Sequence, residues 1–268
     1  FEMIEVSGDA VWTWFNVKKL IFGLPYDSWD HHTTRLTKIV FSYIFQLILG
    51  TNATIYYVTP IFFTVLSAIM IYKIGRLIDS KILGFFSLFF LLLFSPLNRA
   101  NFQLIPSIFS LTSMLFVFYF FIKYLKLEKQ TYLILSSLCF FIAYLSDVTN
   151  LFFSPVIAIA LFGYKKRSNR LIMNDIILYS FILLALFALE TIFYYKITGN
   201  VFGRIGIIKN THLEGTSFTV SHFTDLFKRF TTLNEMWKFI FYTFIAVAVI
   251  LLLTKNDKII RITSALPL

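Results

Sequence analysis

What most limits the folds open to this chain is the alternation of long uncharged apolar runs with short basic clusters. Lys and Arg gather at 73–81, 123–129, 165–170 and 255–261, and between those clusters the sequence runs through Phe, Leu and Ile with few charges. A bilayer core about 30 Å thick is crossed by about 20 mainly apolar residues in a helix. Basic clusters at alternate loops mark the side on which positive charge is retained, the cytoplasmic one. The composition agrees: 58% hydrophobic and 14% charged residues stand far from soluble domains, which run at roughly 45–50% apolar and ~25% charged. The expected fold is all-α, a polytopic helical bundle integral to the membrane. A net charge of +10 does not point to nucleic acid, because the bases sit in loops rather than along one face.

Seven spans are expected: Ala53–Tyr72, Ile82–Pro96, Ser107–Ile122, Tyr132–Leu145, Leu151–Tyr164, Ile176–Tyr195 and Phe239–Thr254. An eighth apolar run, 36–50, is short, carries Lys38 and Gln46, and places Ile39, Tyr43, Gln46 and Leu47 near one face. It reads as a helix lying along the interface. The chain is read as one transmembrane domain over 1–268, with an outer loop at 1–35, the interfacial helix at 36–50 and spans within 53–254. The segments 1–35, 97–106, 146–150 and 196–237 then face away from the basic loops. Lys196, Arg204, Lys209, Lys228 and Arg229 run against that bias in the last of them. A start at Phe1 and an end soon after an apolar span lead to the expectation of a first helix before residue 1 and further helices after 268. The single Cys139 lies in an apolar run, can form no internal disulfide, and reads as packing.

Function has to be sought in the polar residues outside the spans, and they are densest from Gly8 to Arg35. Asp9 precedes Trp12 and Trp14 at an expected membrane surface. A carboxylate there suits a general base for an acceptor hydroxyl, and it equally suits a helix cap. Asp30, His31, His32 and Arg35 follow. Adjacent histidines diverge on a helix and do not chelate as an i, i+4 pair does, so no metal ligand is assigned, while a divalent ion shared with Asp9 or Asp30 stays open. Arg35 can grip a phosphate bidentately or snorkel to headgroups. Arg99, Asn101 and Gln103 make a second polar loop, and Asp147 joins two short spans as a substrate contact or a helix cap. Glu190 lies within an apolar span near its outer end and reads as interfacial. His212 and His222 show no spacing that assigns a role. Without a Walker loop, a GxSxG elbow or a GxGxxG turn in context, nucleotide phosphoryl transfer, serine hydrolysis and dinucleotide redox chemistry are poorly supported.

Taken in order, these pieces resemble the polytopic glycosyltransferases of the GT-C fold, in particular the bacterial protein-mannosyltransferase and aminoarabinose-transferase superfamily. The resemblance is carried by GDA at Gly8 to Ala10, DHHTTR at Asp30 to Arg35, a helix ending Gly50-Thr51-Asn52, the turn Gly75-Arg76, RANFQLIP at Arg99 to Pro106 and AYLSDVTNLFFSP at Ala143 to Pro155. It covers roughly residues 8–165. It implies an inverting transfer of a sugar from a polyprenyl-phosphate donor to a glycan, lipid or protein acceptor at the outer face of the cell membrane, as part of cell-envelope chemistry. In that family an acid in the first outer loop is catalytic, which maps onto Asp9. Many relatives have two adjacent acids there, whereas Ala10 follows Asp9 in this chain, which puts metal dependence in doubt. Arg35 and Arg99 become candidate phosphate contacts, with His31, His32, Gln103 and Asp147 shaping the pocket. The rival class is a transporter or flippase of a lipid-linked or anionic substrate, which favours inverted repeats and ionisable residues at mid-membrane.

Overall fold

The computed structural model describes residues 8–24, 34–78, 81–93, 106–154, 157, 169–204 and 206–207. Among these, all regular structure is helical: α1 (Gly8–Ile21), α2 (Leu36–Leu49), α3 (Ala53–Ile78), α4 (Lys81–Leu93), α5 (Pro106–Leu127), α6 (Gln130–Ser146) and α7 (Asn169–Thr198), with a 3-10 helix at Val148–Phe153. Among the described residues three stretches are long and apolar enough to cross a membrane: Ile55–Ile78, Pro106–Leu127 and Met173–Thr198. They coincide with the expected spans at 53–72, 107–122 and 176–195. The expected spans at 82–96 and 132–145 appear as shorter helices, α4 of 13 residues and α6 of 17. The span expected from Leu151 opens as the 3-10 turn, and most of it lies outside the described residues, as does all of Phe239–Thr254.

Side-chain contacts fix the direction of each helix. α3 and α5 run parallel: the Phe63 and Phe109 rings are 4.5 Å apart, Ser67 Oγ and Thr112 Oγ1 are 2.7 Å apart, and Lys126 donates to the Leu77 carbonyl. α6 returns antiparallel to α5, with Ser136 donating to the Val117 carbonyl (3.1 Å) and Asn150 to the Ser110 hydroxyl (2.8 Å). α7 runs parallel to α6, since Gln130 reaches Asp175 (3.5 Å) at one end and Tyr144 meets Phe187 (4.8 Å between centroids) near the other. Hydroxyls that bond neighbouring helices recur along these contacts, as they do where helices associate without a hydrophobic driving force between them.

The bundle therefore has two chemically distinct ends. Leu77, Lys81, Lys126, Lys129 and Asp175 gather at a basic end, where buried Asp175 also accepts from the Tyr124 hydroxyl. At the opposite end α3 and α5 begin and α6 and α7 finish. Between the ends, Val117, Phe121, Leu133, Phe140, Ile157, Tyr179 and Leu183 form the larger apolar core.

α3 and α4 form a hairpin that depends on two glycines. A Cβ on Gly75 would stand 2.5 Å from the Gly84 Cα, and one on Gly84 would stand 2.6 Å from the Tyr72 carbonyl oxygen. Backbone cannot yield as a side-chain tip can, so Gly84→Ala is expected to destabilise the hairpin by about 1–3 kcal/mol. Thermal unfolding in detergent, compared with Gly23→Ala, tests that the penalty comes from crowding: a Cβ on Gly23 would have no atom of the described residues within 4 Å beyond its chain neighbours, and its φ of +70° accounts for any loss.

Two short helices cover the end opposite the bases. Residues 8–21 were expected within an outer loop, and they form α1 because Ala10, Thr13, Trp14 and Val17 recur at helical spacing and are all buried. Ala10 and Trp14 pack with Tyr56, Phe63, Ile108 and Phe109. α2 is the helix expected over 36–50. It buries Thr37, Lys38, Ser42 and Gln46 and exposes Val40, Tyr43, Ile44, Leu47 and Ile48. The face turned to the protein is thus the polar one and the outward face is greasy, the reverse of a water-soluble amphipathic helix.

Candidate functional site

The end away from the bases carries most of the chemistry that the described residues bring together. Arg35 is the N-cap residue of α2 and Asp147 the C-cap residue of α6. Thr37 donates to the Ile142 carbonyl at 2.9 Å, which seats the first turn of α2 on the last turn of α6. Arg35 and Asp147 consequently flank one junction. Asp147 does not begin a regular α-helix after itself: its N–H bonds the Ala143 carbonyl (3.0 Å), and its own carbonyl accepts from Asn150 (3.1 Å). Asn150 also donates to the Ala143 carbonyl (2.8 Å), so the turn is held from within.

Asp9 lies in the first turn of α1, next to Ala10, whose side chain is buried against the start of α5. This puts the backbone of Asp9 at the same end as Arg35 and Asp147. His31, His32, Arg99 and Gln103 lie outside the described residues. Among the described residues no three His, Cys, Asp or Glu side chains come together as metal ligands.

The polar stripe of α2 ties this end together. Gln46 donates to the Trp14 carbonyl at 3.2 Å, linking α2 to α1, and the Trp14 ring meets Tyr56 of α3 edge-on at 5.7 Å. Lys38, two turns before Gln46, is fully buried. An ammonium in that position is costly to desolvate and is expected to serve a function or a partner. It was passed over in the sequence as one charge in an apolar run, although Lys38, Ser42 and Gln46 recur at i, i+4 and i+8.

Beneath α2 lies an apolar groove of about 290 Å³, lined by Phe41, Phe62, Phe63, Phe116, Cys139 and Ile142 among others. Phe41 follows Lys38 by one helical turn, and Ile142 carries the carbonyl that Thr37 grips. The groove therefore runs from the apolar middle of the bundle up to the helix that carries the cations.

A second feature was not legible as a site. Past α7 the chain turns at Gly199, whose φ is +69°. It folds back so that Arg204 Nη1 meets Glu190 Oε1 at 2.7 Å and Nη2 donates to the Tyr144 carbonyl at 3.0 Å. The guanidinium lies 4.3 Å over the Tyr144 ring. Both partners are buried, with side chains 5% and 7% exposed. Glu190, expected at the interface, is instead half of a desolvated ion pair. Arg204 had stood only as one of five bases in the loop 196–237.

No protein-family model, curated protein or solved structure matches the chain.

Proposed function

We propose that this chain is a membrane glycosyltransferase that moves a sugar from a polyprenyl-phosphate donor to an acceptor hydroxyl at the extracytoplasmic face of the cell membrane. The observation that carries this reading is an apolar groove roofed by a helix with a buried Lys38 and Arg35 at its start. An amphiphile with a long hydrocarbon tail and an anionic head is what such a groove and roof suit: the tail among the phenylalanines, the phosphate toward the cations. The loops 73–81 and 123–129 share a basic end, joined by Lys126 and the Leu77 carbonyl, which supports a multi-pass arrangement with the groove's roof away from the cytoplasm, although Lys196 and Arg204 at the roof's end run against that bias.

In the proposed reaction the acceptor oxygen attacks the anomeric carbon from the face opposite the phosphate. Asp9 takes the proton of that hydroxyl, the bond from the anomeric carbon to the phosphate oxygen breaks, and polyprenyl phosphate leaves with the electron pair. The configuration inverts through an oxocarbenium-like state. Arg35 and Lys38, with Arg99 from the second polar loop, neutralise the departing phosphate. His31, His32, Gln103 and Asp147 shape the sugar pocket, and a divalent ion is not needed for the step. Incubation with labelled polyprenyl-phosphate sugars and candidate acceptors tests the reading, and release of polyprenyl phosphate with a glycosylated acceptor is the expected result. A labelled lipid that changes leaflet without losing its sugar would instead identify a flippase.

Cys139 gives an independent check of the groove, because it is the only cysteine in the chain and lines the cavity. Polyprenyl phosphate is expected to slow modification of Cys139 by a small membrane-permeant thiol reagent, read by mass spectrometry. Short-chain alkyl phosphate at the same concentration is expected to protect less.

A further inference from the structure

Three helices that line the apolar groove change character together toward the basic end. α3 contributes Leu66 to the lining, α5 contributes Phe116 and Phe120, and α6 contributes Cys139. α3 and α5 run toward the basic end, and α6 starts from it. Residues seven apart on a helix differ by only about 20° in direction and by about 10.5 Å in height. One such step nearer the basic end, the stripe of Leu66 carries Lys73, that of Phe116 carries Lys123, and that of Cys139 carries Tyr132. The aromatic lining is continuous to this point, since Phe120 stacks on Phe116 at 6.2 Å and on Tyr132 at 6.4 Å. An open apolar groove therefore ends between two lysines.

The Lys123 ammonium is held in place by rings from two helices. Its Nζ lies 4.9 Å from the ring centroid of Tyr119 on α5 and 5.0 Å from that of Tyr132 on α6, within the range of cation–π attraction. Lys73 is exposed. Among the described residues no carboxylate pairs with either lysine. The described acids at this end are placed elsewhere: Asp175 is buried and bonded to Tyr124 and Gln130, and Glu128 lies in the turn between α5 and α6. A head of net negative charge meets only attraction between Lys73 and Lys123, whereas a zwitterionic head brings its own cation against them. The leaflet at a basic, cytoplasmic end supplies anionic lipids.

We infer that the basic end of the groove is a site for one anionic glycerophospholipid of the adjoining leaflet. Its phosphate accepts from Lys73 and Lys123, and one acyl chain lies along Phe120 and Phe116 toward Cys139. This head sits at the end opposite the one proposed for the sugar donor, so the site does not rest on the transfer reading.

The test titrates the full chain in detergent with phosphatidylglycerol or phosphatidylcholine of the same acyl chains, with bound lipid counted by native mass spectrometry. Phosphatidylglycerol is expected to bind about 25-fold more tightly, each lysine contributing about fivefold. Lys73→Gln and Lys123→Gln should each lower that preference about fivefold, the double variant should abolish it, and arginine at both positions should restore it. Lys81→Gln is the control. It removes an equal charge from the same end, but from α4, which packs on the Gly75 side of α3, half a turn round the helix from Leu66. Saturating phosphatidylglycerol is also expected to slow alkylation of Cys139 in the wild type and not in the double variant. The inference is overturned if phosphatidylcholine binds as tightly, or if Lys81→Gln lowers the preference as much as Lys123→Gln. It is equally overturned if inorganic phosphate at the same concentration displaces the lipid, which would identify a site for free phosphate. Lipid selectivity with these variant effects stands whether or not the chain transfers sugar.

Discussion

Asp9→Asn is expected to lower the proposed sugar transfer by about 10²–10⁴-fold, the contribution of a positioned general base, while the helix content and melting temperature of the protein are expected to stay those of the wild type. The argument rests on placement and chemistry. Asp9 sits in the first turn of a helix packed by Ala10 and Trp14 over the start of α5. Asn keeps the shape of the side chain and removes its basicity. Lipid donor affinity should be unchanged, because the tail and phosphate contacts proposed for the donor lie with the groove and α2. The measurement is release of polyprenyl phosphate under single-turnover conditions, with donor binding followed separately. Full activity in the variant, or equal loss of binding and rate, would remove Asp9 from the role of base.

Breaking the buried ion pair is expected to have the largest effect on stability, and an unequal one. Glu190→Met leaves a guanidinium 95% buried without its counter-charge, and destabilisation of about 3–5 kcal/mol follows. Arg204→Met should cost less, because a lone buried carboxyl can neutralise itself by binding a proton whereas a guanidinium does not lose one. The double variant, with two apolar side chains of similar length, should recover most of the loss, since replacing a whole buried pair is often neutral or better. Thermal or denaturant unfolding of the four proteins in one detergent gives the cycle. Equal costs for the single variants, or a double variant as unstable as their sum, would show that the pair acts independently of its charges.

Several elements were legible in the residues themselves. Long apolar runs between basic clusters placed α3, α5 and α7, because the length and composition needed to cross a bilayer are written locally. The alternation of those clusters also anticipated which loops share an end: 73–81 meets 123–129 through Lys126 and the Leu77 carbonyl, and 146–150 lies at the other. α1 could have been read from Ala10, Thr13, Trp14 and Val17. It was obscured by its polar and charged neighbours, which made the stretch resemble a loop. For α2 the period was visible, but the choice of face was not. In water a helix turns its apolar side inward, and here Lys38, Ser42 and Gln46 turn inward.

The sequence by itself determined the helical class, the long apolar helices, the alternation of ends, and the polar stretch in which Asp9 and Arg35 fall, since each depends on residues close together along the chain. Tertiary structure alone decided that Arg35 and Asp147 flank one junction, that Lys38 is buried, and that Glu190 is paired with Arg204. Those facts turn on contacts such as Thr37 to Ile142 and Arg204 to Tyr144. Such long-range contacts leave no local periodicity, because their partners are set by how whole helices pack.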